Sequence, residues 1–173
     1  MPLLEPERYF ARVTRISPQA DLVDCGFENM LIDMDNTILS RATHDIPRDV
    51  RAWLGDVREA GVKICLLSNN WHASPYEVAA ELDLPVVAKA LKPLPHGYLA
   101  ARAKLGARSA NTVVVGDQLS TDVVGAHLLG MKAYLVCPLV EQDLRHTLVL
   151  RNIERALLGA RVPEGAQACA GDE

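Results

Sequence analysis

Four short apolar runs punctuate the chain: Met30 to Met34, Val62 to Leu67, Thr112 to Val115 and Ala133 to Cys137. Each ends in a polar or glycine-containing turn, and a weaker fifth run covers Leu84 to Ala88. Most of their apolar residues are consecutive rather than alternate, the pattern of strands covered on both faces, as in a parallel sheet. Between the runs the period lengthens to that of a helix. Val50, Trp53, Leu54 and Val57 share one face of a segment that Pro47 opens and Gly61 closes. Pro75 to Leu82, His96 to Leu105 (ended by Gly106) and Thr121 to Leu129 (ended by Gly130) read as three more helices. Strands alternating with helices predict right-handed βαβ units, hence an α/β fold with a doubly wound, Rossmann-like parallel sheet and helices on both faces.

The ends of the chain break this rhythm. Residues 1 to 28, with Pro2, Pro6 and Pro18, read as an irregular lead-in to a domain over residues 29 to 158. Residues 141 to 158 read as a long last helix with Val149, Leu150, Ile153, Ala156 and Leu157 at helical spacing. Residues 159 to 173 read as a disordered tail.

Composition narrows the class without changing the picture. A chain of 173 residues, 49% hydrophobic and 23% charged, suits one soluble domain with a sizeable core. The net charge of −4 gives no global pull toward nucleic acid, which is not expected as a partner. Met1 to Phe10 carries Glu5 and Glu7 and no unbroken apolar stretch, so no secretory signal is expected, and no run approaches the roughly 18 residues of a membrane span. Cys25, Cys65, Cys137 and Cys169 are scattered without CxxC or Cys/His pairing. Cys65 and Cys137, inside apolar runs, are expected to be buried free thiols, and a reducing cytoplasm fits best.

The chemistry gathers where the runs end, and in an open parallel sheet ligands bind outside the carboxyl ends of the strands. The first run leads into Asp33-Met34-Asp35, the second into Ser68-Asn69-Asn70 and the third into Gly116-Asp117-Gln118, while Lys92 follows the weak run. Asp33 and Asp35 are two positions apart, so extended backbone directs both carboxylates to one side. Paired carboxylates favour a bound cation or a shared proton. Asp117 and Asp122 add hard oxygen donors, and with no His or Cys converging the set suits Mg²⁺ better than Zn²⁺. Ser68 and the amides after it can hold anionic oxygens, and Lys92 can neutralise a phosphoryl group in transfer. Each element alone has a plain structural reading: aspartates cap turns and helices, Asp122 fits a helix first turn, and Lys92 a solvated loop. Their coincidence at successive strand ends is what points to a site.

In these elements, Asp33-Met34-Asp35-Asn36-Thr37, Ser68-Asn69-Asn70, Lys92-Pro93 and Gly116-Asp117-Gln118-Leu119-Ser120-Thr121-Asp122, the sequence resembles the haloacid dehalogenase superfamily, subclass IIIA, and within it the YqeG-like phosphatases related to mitochondrial phosphatidylglycerophosphate phosphatase. The resemblance spans roughly residues 8 to 158. It implies a Mg²⁺-dependent phosphomonoesterase with an aspartyl-phosphate intermediate on Asp33 and with Asp35 as general acid and base. It places the metal on Asp33, Asp35 (through its backbone carbonyl), Asp117 and Asp122, and the phosphoryl group on Ser68, Lys92 and the Asn69 amide. The substrate it implies is a phosphate ester, with a phospholipid at the inner face of the membrane as the specific candidate. A soluble sugar or nucleotide phosphate is the alternative substrate, and a non-catalytic phosphate sensor the alternative class.

The intervals between these elements leave no room for a cap domain. The site is expected to be open apart from a flap at Leu39 to Ile46 that carries Arg41 and His44. An open site admits a bulky substrate or closure by a second subunit, so a homo-oligomer is compatible with it. Two segments are candidates to meet a membrane: the last helix, with Arg145, Arg151, Arg155 and nearby Arg161, and the N-terminal segment with Tyr9 and Phe10.

Overall fold

The computed structural model describes residues 3–139 and 161–166. Six parallel strands form one sheet in the order β1-β6-β5-β2-β3-β4. They are β1 Arg8–Phe10, β2 Asn29–Asp33, β3 Lys63–Leu67, β4 Val86–Val87, β5 Thr112–Gly116 and β6 Lys132–Val136. Four helices connect them: α1 Arg48–Glu59, α2 Ser74–Leu82, α3 Pro95–Leu105 and α4 Val124–Leu128. The predicted last helix over 141 to 158 and the chain beyond 166 lie outside the described residues.

The consecutive apolar runs are explained by a core on each side of the sheet. Met30, Ile32, Ile64, Leu66, Val113 and Val115 pack with Val50, Trp53, Leu54 and Val57 of α1 and with Val78 of α2. Leu31, Cys65, Leu67, Val114, Ala133 and Leu135 face the other way, onto Tyr98, Ala101 and Leu105 of α3 and onto Val123 and Ala126. Alternate residues of one strand thus serve opposite layers. Burial pushes the Cys65 thiol up to about 12, so this cysteine stays protonated. Cys137, expected to be buried like Cys65, is half-buried, with its Sγ 3.1 Å from the Tyr9 hydroxyl.

The N-terminal segment, which the hydropathy pattern leaves irregular, contributes an edge strand. Arg8, Tyr9 and Phe10 pair in register with Tyr134, Leu135 and Val136. Phe10 is 1% exposed in the core, against Tyr134, and Tyr9 packs on the opposite layer. The segment is therefore committed to the sheet and does not offer these aromatics to a membrane. Its other edge takes up part of the predicted tail: Glu164 bridges to Phe10, accepting from Ala11 N–H at 2.9 Å and donating to Tyr9 O at 2.8 Å. Arg8 ties the three pieces together, pairing with Glu164 and Asp21 and lying 4.5 Å over the Phe10 ring. The sequence pattern misses both features because three residues of strand, and one of bridge, carry too little periodicity to register.

Behind β1 the chain runs through a short turn at Val13–Arg15 and a wide helical turn at Pro18–Val23 before reaching β2. Trp53 of α1 holds this stretch in place by donating its indole N–H to the buried carbonyl of Ile16 at 2.7 Å. Replacing Trp53 with Phe keeps most of the packing but orphans that carbonyl. Urea unfolding of Trp53→Phe should show a loss of about 1–3 kcal/mol at an unchanged m-value.

Candidate active site

β2, β5 and β3 are neighbours at the centre of the sheet, so their carboxyl ends lie side by side. Asp33 closes β2 opposite Leu67, the last residue of β3. Ser68 follows Leu67 directly, and Asp117 follows Gly116 at the end of β5. Beyond Asp33 the chain makes a tight loop in which Ile38 and Leu39 N–H bond back to Met34 O at 3.0 and 2.9 Å. Asn36 takes a left-handed backbone (φ 70°), a conformation that asparagine tolerates well. The flap is small and self-closed: Ser40 N–H donates to Asp45 O, His44 N–H donates to Ser40 O, and Ser40 Oγ accepts from Ala42 and Thr43 N–H.

At the centre lies the Lys92 ammonium. It is paired with Asp33 Oδ1 and, at 2.7 Å, with Asp122 Oδ1, and all three side chains are buried. Carboxylate oxygens of Asp33, Asp117 and Asp122 lie within 4.8 Å of one another. Asp35 sits two residues on and is only half-buried, with its Oδ2 accepting from Ser68 Oγ at 3.1 Å. The structure thus brings Asp33, Asp117, Asp122 and Lys92 into one cluster and sets Asp35 and Ser68 as a pair beside it. Burial pushes the Asp33 carboxyl up to about 7, against the pull of Lys92 and with the help of the Asp122 charge. Burial alone would lower the Lys92 pKa, but Asp122 and Asp33 outweigh it and hold it above the usual lysine value.

Asn69, expected to place its backbone amide on the phosphoryl group, also makes a side-chain contact that the sequence does not announce. Its side chain grips the main chain of Lys92 from both sides, accepting Lys92 N–H at 2.7 Å and donating to Lys92 O at 3.2 Å. Spacing carries no signal for such a clamp, because the partners lie in separate loops. Ser68 Oγ, besides meeting Asp35, accepts Asn70 N–H at 3.0 Å.

Gln118, Gly116, Tyr98 and Gly125 shape the Asp122 side. The chain from Gln118 winds wide, with Asp122 and Val123 N–H both directed at Gln118 O, 3.0 and 3.4 Å away. Asp122 Oδ2 folds back to accept Gln118 N–H at 3.2 Å. Gly116 makes room for it, since a Cβ there would lie 2.3 Å from Asp122 Cγ. Tyr98, fully buried in α3, donates its hydroxyl to Thr121 O at 2.8 Å. Gly125 admits that ring, because its own Cβ would meet the Tyr98 hydroxyl at 2.3 Å. Gly116 and Gly125 flanking a DxxxxD pair were the legible trace of this packing.

The oxygen cluster suits a hard divalent cation. Its donors are carboxylates alone, buried and convergent, with no His or Cys among them. Asp122 has one oxygen engaged by Lys92 and the other by Gln118 N–H, which ties it into the wall of the cluster.

The HAD-hydrolase-like family model matches residues 90–138, the stretch from the residues just before Lys92 to the end of β6. Over 160 residues, 92% of each chain, the sequence is 28% identical to the protein named probable phosphatase YqeG in Bacillus subtilis strain 168. Among solved structures, an uncharacterised protein of Listeria monocytogenes serotype 4b is 19% identical with a TM-score of 0.54, covering 76% of this chain and 97% of its own. A HAD phosphatase of Thermococcus onnurineus is 23% identical (TM-score 0.50; 68% of this chain, 60% of its own). The cobalt-bound deoxy-D-mannose-octulosonate 8-phosphate phosphatase of Haemophilus influenzae is 12% identical (TM-score 0.50; 78% and 88%). At these identities the solved structures speak for the fold alone.

Two outcomes follow from the geometry. Burial holds the Asp33 carboxyl above its ordinary range, and it must lose its proton before it can hold a cation, so stabilisation by a divalent cation such as Mg²⁺ should be weak at pH 5.5 and grow through pH 7. Above pH 8 it should level off, as read by thermal shift at fixed Mg²⁺. Gly116→Ala drives a methyl into Asp122 and should lower affinity for a divalent cation by about 10- to 100-fold in the same assay.

Proposed function

We propose that the chain is a HAD-type phosphatase that hydrolyses phosphomonoesters with Asp33 as nucleophile, Asp35 as general acid and base, and Mg²⁺ as its resident metal. The observation that carries this reading is the buried Lys92 ammonium bridging Asp33 and Asp122, with the Asp117 oxygen in the same cluster. An ammonium and a cation site converging on one carboxylate is an arrangement for drawing a dianionic phosphoryl group onto that carboxylate.

The two steps divide between dry and wet groups. Asp33 attacks phosphorus, an O–P bond forms on its carboxylate, and the ester O–P bond breaks. Asp35, half-buried and directed by Ser68 Oγ, gives its proton to the departing alcohol oxygen. It then takes a proton from the water that attacks the aspartyl-phosphate, restoring Asp33 and releasing phosphate. Lys92, clamped by Asn69, neutralises non-bridging oxygens, and Ser68 offers its hydroxyl to another. Mg²⁺, held by Asp33, the Asp35 backbone carbonyl and Asp117, would supply positive charge against the phosphoryl oxygens. Asp122 acts through Lys92, fixing the ammonium from the far side.

For the substrate we infer a phosphate on a large body, with phosphatidylglycerophosphate as the specific candidate. Between Asp33 and Ser68 the chain forms the tight loop with its flap, α1 and β3, and between Ser68 and Lys92 it forms α2 and β4. Neither interval holds a domain that would close over a small soluble ester. The motif resemblance supplies the lipid as candidate, and the open mouth is compatible with it.

Purified protein with Mg²⁺ should release phosphate from an aryl phosphate and from vesicle-borne phosphatidylglycerophosphate. Asp33→Asn should abolish both, and beryllofluoride should bind wild type alone. Asp35→Asn should cost on the order of 10²–10⁴-fold in turnover. Turnover that survives Asp33→Asn would sink the nucleophile assignment, and activity on soluble sugar or nucleotide phosphates alone would sink the lipid.

A further inference from the structure

Nine large hydrophobic side chains stand exposed among the described residues, and four of them belong to the two loops and one helix turn at the mouth of the site. Trp71 (61% exposed) follows Ser68-Asn69-Asn70, Tyr76 (54%) lies in the first turn of α2, and Leu91 (43%) and Leu94 (55%) bracket Lys92-Pro93. The loops are fastened side by side: Lys89 and Ala90 N–H donate to Asn70 and Ser68 carbonyls, and Asn69 clamps Lys92. The Lys89 ammonium lies 5.2 Å from the centre of the Trp71 ring, over its face. Exposed apolar groups concentrated at one place on a soluble surface mark an interaction site.

The backbone of this rim points the same way. Lys89 (φ 52°) and Leu91 (φ 53°) both adopt left-handed conformations, unfavourable for residues with a Cβ and rare for a leucine. The strain does not serve core packing. Leu91 is turned out to solvent while its neighbours Ala90 and Lys92 are buried. The loop thus holds a leucine partly outward at a conformational cost.

Charge identifies what the rim fits. The chain carries a net charge of −4, yet no Asp or Glu occurs from Ala60 to Tyr76 or from Leu84 to Gly116. The rim segments contribute Lys89, His72 and His96 instead. A tryptophan, a tyrosine and two leucines around the Lys89 ammonium, with the exposed Glu77 beside Tyr76 in the first turn of α2, complement a layer that pairs anionic headgroups with an apolar interior.

We propose that Trp71, Tyr76, Leu91, Leu94 and Lys89 form a docking surface that seats the mouth of the site on an anionic lipid interface. The four apolar side chains insert at the headgroup level while Lys89 meets the lipid charge. The proposal deepens the reading of an uncapped phosphatase site and rests on it for its biological sense, but docking itself needs no turnover.

The test therefore uses full-length Asp33→Asn, which cannot consume lipid. Its sedimentation with phosphatidylcholine vesicles is compared with that on vesicles containing added phosphatidylserine. Trp71 is the exposed one of two tryptophans, so its emission reports the rim. The expected result is binding to the anionic vesicles, weakened by salt, with a blue shift and quenching by brominated lipid. Adding Trp71→Ser and Leu91→Asn should weaken binding at least tenfold, given about 1.5–3 kcal/mol per large apolar side chain. Asparagine accepts the left-handed backbone of position 91, so the loop is preserved, and a melting curve checks the fold. No sedimentation, equal binding by the triple variant, or unquenched Trp71 would each overturn the proposal. So would light scattering that shows a dimer lost in the triple variant, which would assign the rim to a second copy of this chain. If wild type hydrolyses no ester while Asp33→Asn still docks, the phosphatase reading fails and the surface stands.

Discussion

The site is organised around one buried ammonium. Taking Lys92 and its two carboxylate partners out of water costs several kcal/mol per ion, and only good geometry offsets it. The fold supplies that geometry from four directions. Asp33 comes from the end of β2, Asp122 from the wide turn after β5, the Asn69 amide from the end of β3, and Tyr98 from α3 through the Thr121 carbonyl. Gly116 and Gly125 are the space these contacts need. Losing any one partner leaves a charge or a polar group buried without its complement, so the surrounding backbone is shaped less by its own preferences than by this one ion.

The parallel sheet makes such convergence inexpensive. Adjacent strands run about 4.8 Å apart, so residues leaving β3, β2 and β5 at the same level arrive within reach of one another however far apart they are in sequence. Ser68 meets Asp35, and Lys92 meets Asp33, without any long excursion. Both faces of the sheet are sealed by helices, which leaves the strand ends as the place where polar groups collect.

What could be read from the sequence divides along the same physical line. The central strands were legible because burial on both faces imposes runs of consecutive apolar residues, and the site because polar groups must interrupt those runs at their ends. Elements whose form depends on a distant partner were not legible. Arg8 to Phe10 is a strand because β6 and Glu164 accept it on either side, and nothing within three residues announces that. Asn69 looks like one more polar loop residue until Lys92 is brought beside it. The exposed Leu91 breaks the expectation that a leucine is buried, and such local violations tend to fall at functional surfaces.

Asp33 and Asp35 show how far two neighbouring carboxylates can be driven apart by position alone. Extended geometry directs both toward the cleft, yet Asp33 is sealed among Lys92, Asp117 and Asp122 while Asp35 keeps contact with water and with Ser68. A nucleophile gains from the first setting, because stripping its hydration leaves the carboxylate to be stabilised by the ammonium and by a cation alone. A group that must donate a proton and then accept one needs the second, since it exchanges with solvent between steps. Burial without the counter-charges would push the Asp33 carboxyl higher still, and counter-charges without burial would be screened by water. The chemistry available to the pair comes from having both around one carboxylate and neither around the other.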